Sequence, residues 1–487
     1  MSYSNEKLKK YINGRSCAIL GLGVSNLPLA ETILDFGVEL TIIDKKTPEE
    51  LGEAALSLRD RGVKFICGNN AFDYIDSELM IRSPAVHPDS PGIIKALMRG
   101  AELTSETELF MRLTSADTYA VTGSDGKTTS TTLTGKFLEA HAKRTGVGRV
   151  YVGGNIGTPL LPLCSEMTEN DVAVLELSSF QLTTAVHSAK CAAITNISPN
   201  HLDWHLGGML EYEWAKAHVI GTQTERAVFN FESKGTEKLL LCEADKACRE
   251  LLVFSSVCVD ESDFSSLLNT NAAKKGLLKL VFERDGYIVV SNGSFSERVL
   301  AIGDIILPGR HNVENYMTAI ALTYGKLDVA VYGEVARSFR GVEHRLELVR
   351  TIDGVDYYNS SIDSSPTRTA AALSALSGRD IVVICGGYDK NIPFEPLAKA
   401  LCKSVRAVVL TGATADKIKK VLLADAEFDS KKLTVAHEPD FECAVKKASA
   451  LAQKGGCVLL SPACASFDAF KNFAERGNKF REIVSKL

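Results

Sequence analysis

Short apolar runs recur along this chain, and each is followed by a polar or glycine-containing turn and a helical pattern. The first run, at 16–20, leads into a glycine turn and a helix, and the next run, at 40–43, ends at Asp44. This order predicts a βαβ unit with parallel strands. Further strands are predicted at 171–177 and 192–196, and polar residues lie where each ends, as at the ligand-binding edge of a parallel sheet.

The same strand–turn–helix pattern fills the last third of the chain. It predicts another parallel sheet that is covered by helices on both faces. The strands are predicted at 355–358, 380–384, 407–410 and 457–460. Between 240 and 300 the pattern changes to short β-like runs, in which Asp285-Gly286 and Asn292-Gly293 are typical of hairpin turns. We assign no chemistry to that segment.

The length of 487 residues is too great for one hydrophobic core and suggests about three domains of roughly 150 residues each. We therefore predict an α/β fold with three domains. The first is an N-terminal Rossmann-like nucleotide-binding domain at 1–116. A central P-loop ATPase-like α/β domain follows at 117–341, and a C-terminal Rossmann-like α/β domain follows at 342–487.

The composition is that of an ordinary soluble globular protein, with 45% hydrophobic and 24% charged residues. The net charge of −5 gives no indication of a positively charged surface that would bind nucleic acid or an anionic membrane. The N-terminus is polar and lysine-rich, and no apolar run approaches the roughly 18 residues of a membrane span, so we expect a cytoplasmic protein. The twelve cysteines show no metal-binding pattern, and we interpret them as small buried hydrophobic residues in a reducing cytosol.

Between Ala120 and Thr129 the chain reads Ala-Val-Thr-Gly-Ser-Asp-Gly-Lys-Thr-Thr, the pattern of a loop that binds nucleotide phosphates. The two glycines allow a tight turn, and the following helix would direct its N-terminus at the anion. Lys127 would reach the β- and γ-phosphates, and the Thr128 hydroxyl would hold Mg²⁺. Only two residues separate the glycines, so kinases and GTPases fit poorly, and an ordinary glycine turn remains the alternative. ATP binding is predicted for Gly123, Ser124, Asp125, Gly126, Lys127, Thr128 and Thr129.

The N-terminal turn Gly21-Leu22-Gly23 is similar to a dinucleotide-binding fingerprint, and Asp44 lies where a ribose-binding acid would lie. The third glycine of that pattern is replaced by Asn26, so a dinucleotide is not demanded. A βα turn without any ligand is the open alternative.

A carboxylate and an imidazole, Glu176 and His201, lie at predicted strand ends of the central domain and could hold a metal ion beside the phosphate loop. Lys216 follows them further along the chain. Mg²⁺ prefers oxygen ligands and keeps several waters, so Thr128, Glu176 and phosphate oxygens suit one ion. Each residue also has a structural alternative. Glu176 could cap a helix, His201 could lie in a solvated turn, and Lys216 could lie on the surface.

Seven motifs of this sequence occur in the order found in Mur ligases, and the chain resembles that family over essentially its full length. They lie at 122–129, 153–157, 176–182, 200–203, 307–312, 343–345 and 460–468. The resemblance implies that ATP phosphorylates the carboxylate of UDP-N-acetylmuramoyl-L-alanine. The amine of D-glutamate then attacks the acyl phosphate, and phosphate leaves from a tetrahedral intermediate, in cytoplasmic peptidoglycan precursor synthesis.

The resemblance also implies cofactors and partners. ATP, two Mg²⁺ ions and a carbamylated Lys216 are implied, because two anionic reactants must meet and a carbamate would turn the lysine into a metal ligand. We expect a monomer that binds the two substrates and neither nucleic acid nor a membrane.

Residue roles are implied position by position. The implied catalytic residues are Lys127, His201 and Lys216, and the implied metal ligands are Thr128, Glu176, His201 and Lys216. Besides the phosphate loop, ATP would contact His311, Asn312, Asn315 and Arg345. The UDP substrate would contact Val24, Ser25, Asp44, Lys45, Asn155, Ser178, Ser179 and Gln181. D-Glutamate would contact Ser364, Lys390, Ser466 and Phe473.

Some of these positions have alternatives or depart from the family pattern. Lys390 could be a solvated turn lysine, and Phe473 could be core packing or act through its backbone. Ser360 replaces a family aspartate that contacts the ATP ribose, and we hypothesise that Asp363 compensates for it. Asp125 stands where asparagine is common, and we expect it to point away from the phosphates or to hold a water or ion.

Other functions share parts of this pattern. A sister ligase that adds L-alanine or a diamino acid, or a folylpolyglutamate synthetase, would share the ATP machinery. From different classes, an NAD-dependent oxidoreductase would use the N-terminal glycine turn, and a non-catalytic nucleotide-binding module would use the phosphate loop alone.

Overall fold

The computed structural model of the protein describes residues 3–73, 75–389 and 392–487. The chain divides into two compact units. The first contains residues 1–304 and 311–335, and the second contains residues 305–310 and 336–487. The first unit holds two sheets and the second holds one, so the three predicted α/β regions each have a sheet of their own. The boundaries predicted at 116 and 341 stay a prediction.

The first sheet has five parallel strands in the order β3-β2-β1-β4-β5. The strands are β1 Cys17–Leu20, β2 Leu40–Asp44, β3 Lys64–Cys67, β4 Leu79–Arg82 and β5 Glu102–Thr104. The helices around them are α1 Tyr3–Ile12, α2 Gly23–Asp35, α3 Pro48–Leu51, α4 Glu53–Asp60, α5 Pro91–Met98 and α6 Glu106–Leu113. The strand order reverses between β1 and β4, which opens a crevice at their carboxyl ends.

The second sheet has nine strands in the order β14-β13-β12-β11-β10-β9-β6-β8-β7. The strands are β6 Asp117–Thr122, β7 Val150–Gly154, β8 Val172–Glu176, β9 Cys191–Ile194, β10 Arg226–Asn230, β11 Glu250–Phe254, β12 Leu278–Arg284, β13 Tyr287–Ser291 and β14 Ser296–Ala301. The helices are α7 Lys127–Thr145, α8 Ser179–Leu182, α9 Gly208–Ala217, α10 Glu237–Lys246, α11 Ser265–Leu268, α12 Asn271–Lys274, α13 Arg310–Thr323 and α14 Ala330–Ala336. Later strands lie on both sides of β6, with β8 on one side and β9 on the other. The carboxyl end of β6 is therefore the switch point where a ligand crevice is expected.

The hairpins predicted between 240 and 300 are confirmed, because β12, β13 and β14 pair antiparallel. Asp285 and Gly286 form a two-residue turn between the paired Arg284 and Tyr287, with φ of 52° and 77°. Positive φ at both turn positions matches the twist of the strands, which explains the Asp-Gly pair.

The second unit has a six-stranded sheet in the order β15-β16-β20-β17-β18-β19, parallel except at β15. The strands are β15 Glu347–Ile352, β16 Val355–Asn359, β17 Ile381–Cys385, β18 Ala407–Leu410, β19 Thr434–His437 and β20 Cys457–Leu460. The helices are α15 Pro366–Ala375, α16 Glu395–Ser404, α17 Ala415–Ala424, α18 Phe441–Leu451 and α19 Phe473–Ser485. Val383 belongs to the core on one face and Val382 to the core on the other, as predicted for a sheet covered on both faces.

Both sheets of the first unit contribute to one hydrophobic core, for example through Ile19 of β1 and Leu175 of β8. The twelve cysteines are free thiols. The expectation that they are all buried is wrong for Cys242, Cys248 and Cys443, which are exposed, and for Cys67 and Cys402, which are only partly buried. Sequence could not separate these from the core cysteines, because burial depends on which other segments of the chain pack over each position. None of the helices in the described part of the chain has the length and apolar character of a membrane span.

Candidate active site

The phosphate loop joins β6 to α7 and requires both of its glycines. Gly123 and Gly126 have φ of 147° and 78°, which side chains disfavour. A Cβ atom on Gly123 would lie 1.9 Å from the Thr195 hydroxyl, and one on Gly126 would lie 2.5 Å from Asn315 Oδ1. The neighbours therefore hold the loop in a conformation that glycine adopts readily and residues with side chains do not.

The peptide of Asp125 is fixed by the strand end that follows β9. The Thr195 hydroxyl donates to the Asp125 carbonyl oxygen at 2.6 Å, and the Asp125 amide donates to Asn196 Oδ1 at 3.0 Å. The Ser124 amide donates to the Asn196 carbonyl oxygen at 2.8 Å. The Asp125 side chain is exposed, and its predicted orientation relative to phosphates stays a prediction.

Lys127 is the first residue of α7, and its side chain folds back over the loop. Its Nζ donates to the carbonyl oxygens of Gly123 at 3.0 Å and Ser124 at 2.9 Å. A positive side chain beside the N-terminus of a helix forms a natural anion site. Thr128 and Thr129, the next two predicted residues, are buried.

Glu176 ends β8, next to β6, and is 2% exposed. Its Oε1 accepts a hydrogen bond from Asn155 Nδ2 at 2.7 Å, and its Oε2 is buried with no hydrogen-bond partner. A buried carboxylate oxygen without a donor is costly, and a cation would satisfy it. The helix-cap alternative is not observed, because Ser178 caps α8.

Lys216 lies in α9 and is 1% exposed, so the surface alternative is wrong. Its Nζ donates to the Gly123 carbonyl oxygen at 2.7 Å and to the Thr122 hydroxyl at 3.4 Å. Burial, together with the positive charge of Lys127, lowers the pKa of Lys216 to about 7. Lys127 and Lys216 therefore both contact the phosphate loop through the Gly123 carbonyl oxygen.

Sequence reasoning missed Tyr212, which connects α9 to the loop. Its hydroxyl lies 2.9 Å from Ser124 Oγ, and its ring lies 4.7 Å from Lys216 Nζ. The signal was present, because Tyr212 precedes Lys216 by one helical turn and so shares its helix face.

His201 is exposed, has a φ of 54°, and places its ring 5.0 Å from that of Phe180. Within the described ranges, no three His, Cys, Asp or Glu side chains gather as a metal cluster.

The short helix α8 and the residue that caps its N-terminus include three of the predicted substrate residues. Ser178 and Gln181 form a capping box, and Gln181 Nε2 also donates to the Thr107 hydroxyl at 3.1 Å. Ser179 Oγ lies 2.9 Å from Nε2 of the buried His205, whose Nδ1 lies 3.2 Å from Glu211 Oε1. His205 was not predicted as a site residue, although it orients Ser179.

In the first sheet, the Asp44 carboxylate accepts from the Leu22 amide at 2.9 Å and the Lys46 amide at 3.0 Å, and so braces the glycine turn. Asn26, in place of the third fingerprint glycine, donates to the Gly21 carbonyl oxygen at 2.8 Å. Lys45 is exposed. The remaining predicted residues of this region, Val24 and Ser25, lie in the first turn of α2.

The residues predicted to contact adenine lie on α13. Asn315 accepts from Ser130 Oγ at 3.2 Å and donates to Asn312 Oδ1 at 3.2 Å. Since Ser130 belongs to α7, this amide pair lies beside the phosphate loop. His311 is exposed at the start of the helix.

In the second unit, Arg476 gathers the segments that carry the predicted D-glutamate residues. Its guanidinium donates to the carbonyl oxygens of Ser361, Cys464 and Ala465 at 2.9–3.1 Å. The Ser361 hydroxyl donates in turn to the Phe473 carbonyl oxygen at 2.7 Å.

These contacts bring together the chain segments next to Ser364, Ser466 and Phe473. Phe473 is 40% exposed, so its core-packing alternative is wrong. Lys390 lies outside the described residues.

Asp363 is buried and accepts from Ser461 Oγ at 2.8 Å. Burial raises the pKa of this carboxyl. Ser360 is also buried and accepts from the Leu346 amide at 3.1 Å. Both side chains face the interior of the second unit, so the hypothesis that Asp363 takes over a ribose contact gains no support. Arg345 precedes this region, and its amide donates to the Val342 carbonyl oxygen.

Comparison with known proteins adds to this geometry. The family model of the Mur ligase middle domain matches residues 121–323, and that of the Mur ligase, glutamate ligase domain, matches residues 344–464. The UDP-N-acetylmuramoylalanine--D-glutamate ligase of Ruminiclostridium cellulolyticum is 39% identical, with 100% of each chain covered. The enzyme of the same name from Clostridium beijerinckii is 41% identical, with 99% of each chain covered. The chain belongs to the Mur ligase family.

Solved structures of similar proteins support the fold alone. UDP-N-acetylmuramate-alanine ligase from Thermotoga maritima matches with a TM-score of 0.53 and 19% identity, over 97% of this chain and 99% of that chain. UDP-N-acetylmuramoyl-L-alanyl-D-glutamate--2,6-diaminopimelate ligase matches with a TM-score of 0.55 and 17% identity, over 84% and 92%. The predicted three-domain α/β fold class is thereby confirmed.

Proposed function

We propose that this chain is an ATP-dependent ligase that joins D-glutamate to UDP-N-acetylmuramoyl-L-alanine. The relatives that carry the corresponding name support it, since they are 38–41% identical over nearly the whole chain. The observation that carries the proposal is the convergence of Lys127 and Lys216 on the Gly123 carbonyl oxygen, with the unsatisfied Glu176 oxygen on the adjacent strand.

The charges of this site suit the transfer of a phosphoryl group to a carboxylate. Both reactants are anionic, so positive groups must offset their repulsion before the oxygen can reach phosphorus. Lys127 would leave the loop carbonyls that it now contacts and pair with the phosphates. The loop amides and the N-terminus of α7 add partial positive charge without moving.

Mg²⁺ fits the donors present, because Glu176 Oε2 lacks a hydrogen-bond partner and Thr128 carries its hydroxyl in the first turn of α7, directly after the phosphate loop. Thr128 and Glu176 would hold one ion, and His201 and a modified Lys216 would hold a second. When bound, the metal would supply charge neutralisation at the transferring phosphoryl group.

We include carbamylation of Lys216 in the proposal. The buried amine would attack CO₂ in its neutral form, so that an N–C bond forms and one proton is released. Its burial and the nearby charge of Lys127 both favour the neutral amine. The carbamate would turn a side chain that repels Mg²⁺ into one that binds it.

The substrates would occupy three regions of the chain. UDP would lie at the glycine turn before α2, and the muramoyl group would lie near Asn155 and α8. D-Glutamate would bind in the second unit, near Ser364, Ser466, Phe473 and Lys390. The protein would act as a monomer with domain boundaries at 116 and 341.

The amide-forming step would use the α-amine of D-glutamate as nucleophile and release phosphate. The direct test is ADP release by the purified chain with UDP-N-acetylmuramoyl-L-alanine and a panel of D-glutamate, L-glutamate, L-alanine and diaminopimelate. We expect turnover with D-glutamate alone. Turnover with another amino acid would identify a sister ligase, and no ATP consumption with any would overturn the proposal.

A further inference from the structure

Arg82 is a buried cation that none of the roles above uses. It is the last residue of β4 and is 1% exposed. Across the described ranges, Arg82 forms no ion pair, and burial lowers the pKa of its guanidinium to about 10. An unpaired buried charge is costly, so its hydrogen bonds must offset the loss of water.

The guanidinium contacts two separate segments. One terminal nitrogen, Nη1, donates to the Val86 carbonyl oxygen at 2.7 Å in the loop after β4. The other, Nη2, donates to the Phe180 carbonyl oxygen at 2.6 Å and to the Thr184 hydroxyl at 3.2 Å. The fork of the side chain thus joins the first sheet to the turn of α8.

The loop after β4 supports the glycine turn of the first sheet. Arg82 pairs with Leu20 in the parallel register, and the Ser83 amide donates to the Leu20 carbonyl oxygen at 2.8 Å. A Cβ atom on Gly21 would lie 3.0 Å from the Ser83 Cβ atom. This is the crevice between β1 and β4, where a nucleotide would bind.

The other segment carries the proposed muramoyl contacts. Phe180 lies in α8 between Ser179 and Gln181, and Thr184 follows the helix. One side chain therefore links the support of the nucleotide turn to the helix that would contact the sugar.

We propose that Arg82 is a positioning residue that holds α8 at a set distance from the nucleotide turn, so that both ends of one nucleotide-sugar fit together. The inference rests on the proposed function, since it assumes a UDP-sugar substrate. Lysine could not replace arginine fully, because one ammonium cannot serve both segments with the geometry of a planar fork.

The test compares two ligands by titration calorimetry with the full chain: UDP, which needs only the first sheet, and UDP-N-acetylmuramoyl-L-alanine. In Arg82→Met, we expect the affinity for UDP to stay as in the wild type. The affinity for the complete substrate should fall by about 10- to 100-fold, the cost of losing hydrogen bonds from a charged group. Arg82→Lys should recover part of that loss.

The matched control is Arg61→Met, which removes the same charge from an exposed arginine that pairs with Asp35. It should bind both ligands as the wild type does. If Arg82→Met lowered the affinity for both ligands equally, Arg82 would act on the nucleotide itself. If neither affinity changed, its role would be purely structural. Both results would overturn the proposal.

Thr184→Val provides a milder variant if Arg82→Met fails to fold, because it removes only the hydroxyl acceptor of the fork. It should lower the affinity for the complete substrate by a few-fold and leave the affinity for UDP unchanged. Any other pattern would contradict the inference. The wild-type titration tests the proposed function separately. Failure of the wild type to bind the complete substrate would overturn both proposals, whereas failure in the variants alone concerns Arg82.

Discussion

Lys127 and Lys216 donate hydrogen bonds to the same atom, the carbonyl oxygen of Gly123, at 3.0 Å and 2.7 Å. Two ammonium groups at one oxygen repel each other strongly away from water. Burial and the charge of Lys127 lower the pKa of Lys216 to about 7, and Lys127 itself is only partly buried. Lys127 is therefore suited to act as a cation for phosphate, and Lys216 is suited to act as a neutral amine.

Replacing Lys127 by alanine should remove the mobile cation of the phosphate loop. We expect ADP release to fall by about 100- to 1,000-fold, as for the loss of one preorganised charge donor. The fold should persist, because alanine is a good residue for the start of α7. Lys136→Ala is the control, since Lys136 lies on the same helix and pairs with Glu139 at the surface. Turnover close to wild type in Lys127→Ala would reject the phosphate-loop assignment.

Glu176→Gln should raise the Mg²⁺ concentration needed for half-maximal ADP release. Glutamine keeps the Oε1 acceptor for Asn155 but removes the charge at the unsatisfied oxygen. We expect this Mg²⁺ concentration to rise by about 10- to 100-fold or more, because even replacing a residue that only supports a metal ligand usually lowers metal affinity by that much. Glu225→Gln, at an exposed position, is the control. An unchanged Mg²⁺ requirement would argue against Glu176 as a ligand.

Lys216→Ala should be inactive and should recover part of its activity with acetate, because a small carboxylate can take the place of the missing carbamate. Wild-type enzyme freed of CO₂ should lose activity and regain it with bicarbonate.

The pH dependence of that recovery follows from the lowered pKa of Lys216. Only the unprotonated amine reacts with CO₂, so at a constant concentration of dissolved CO₂ reactivation should be slow below pH 7 and should accelerate as the pH rises through about 7. Full activity in CO₂-free buffer, together with no acetate rescue of Lys216→Ala, would count against carbamylation.

Arg476→Lys should weaken the binding of D-glutamate and leave the binding of the other two substrates unchanged. Lysine cannot hold Ser361, Cys464 and Ala465 together, so the segments that carry the proposed contacts should loosen. We expect the KM for D-glutamate to rise by about tenfold or more, consistent with lost bonds from a charged donor. The KM values for ATP and the UDP substrate should stay unchanged. Arg350→Lys, on an exposed arginine, is the control, and an equal rise in all three KM values would contradict a local role.

Local patterns made much of the fold predictable. The strands predicted at 407–410 and 457–460 match β18 and β20 to the residue. Continuous apolar runs are required wherever both faces of a parallel sheet are covered, so these strands leave a clear signal. The phosphate loop was also predictable, because the positive φ of Gly123 and Gly126 is a property of the turn itself.

Long-range contacts explain what sequence reasoning missed. Tyr212 reaches Ser124 from 88 positions away, and Arg82 reaches Phe180 from 98 positions away. No local pattern records such pairs, since they depend on which strands become neighbours. The surface interpretation of Lys216 failed for the same reason.

The amino-acid sequence by itself determined the order of strands and helices, the glycine turn that can receive phosphate, and the kinds of side chain that follow each strand. Only the tertiary structure decided which of those side chains lie together and which are removed from water. The physical reason is that backbone conformation depends mainly on near neighbours along the chain. The burial of Lys216, the unsatisfied oxygen of Glu176 and the fork of Arg82 depend instead on segments that folding brings together.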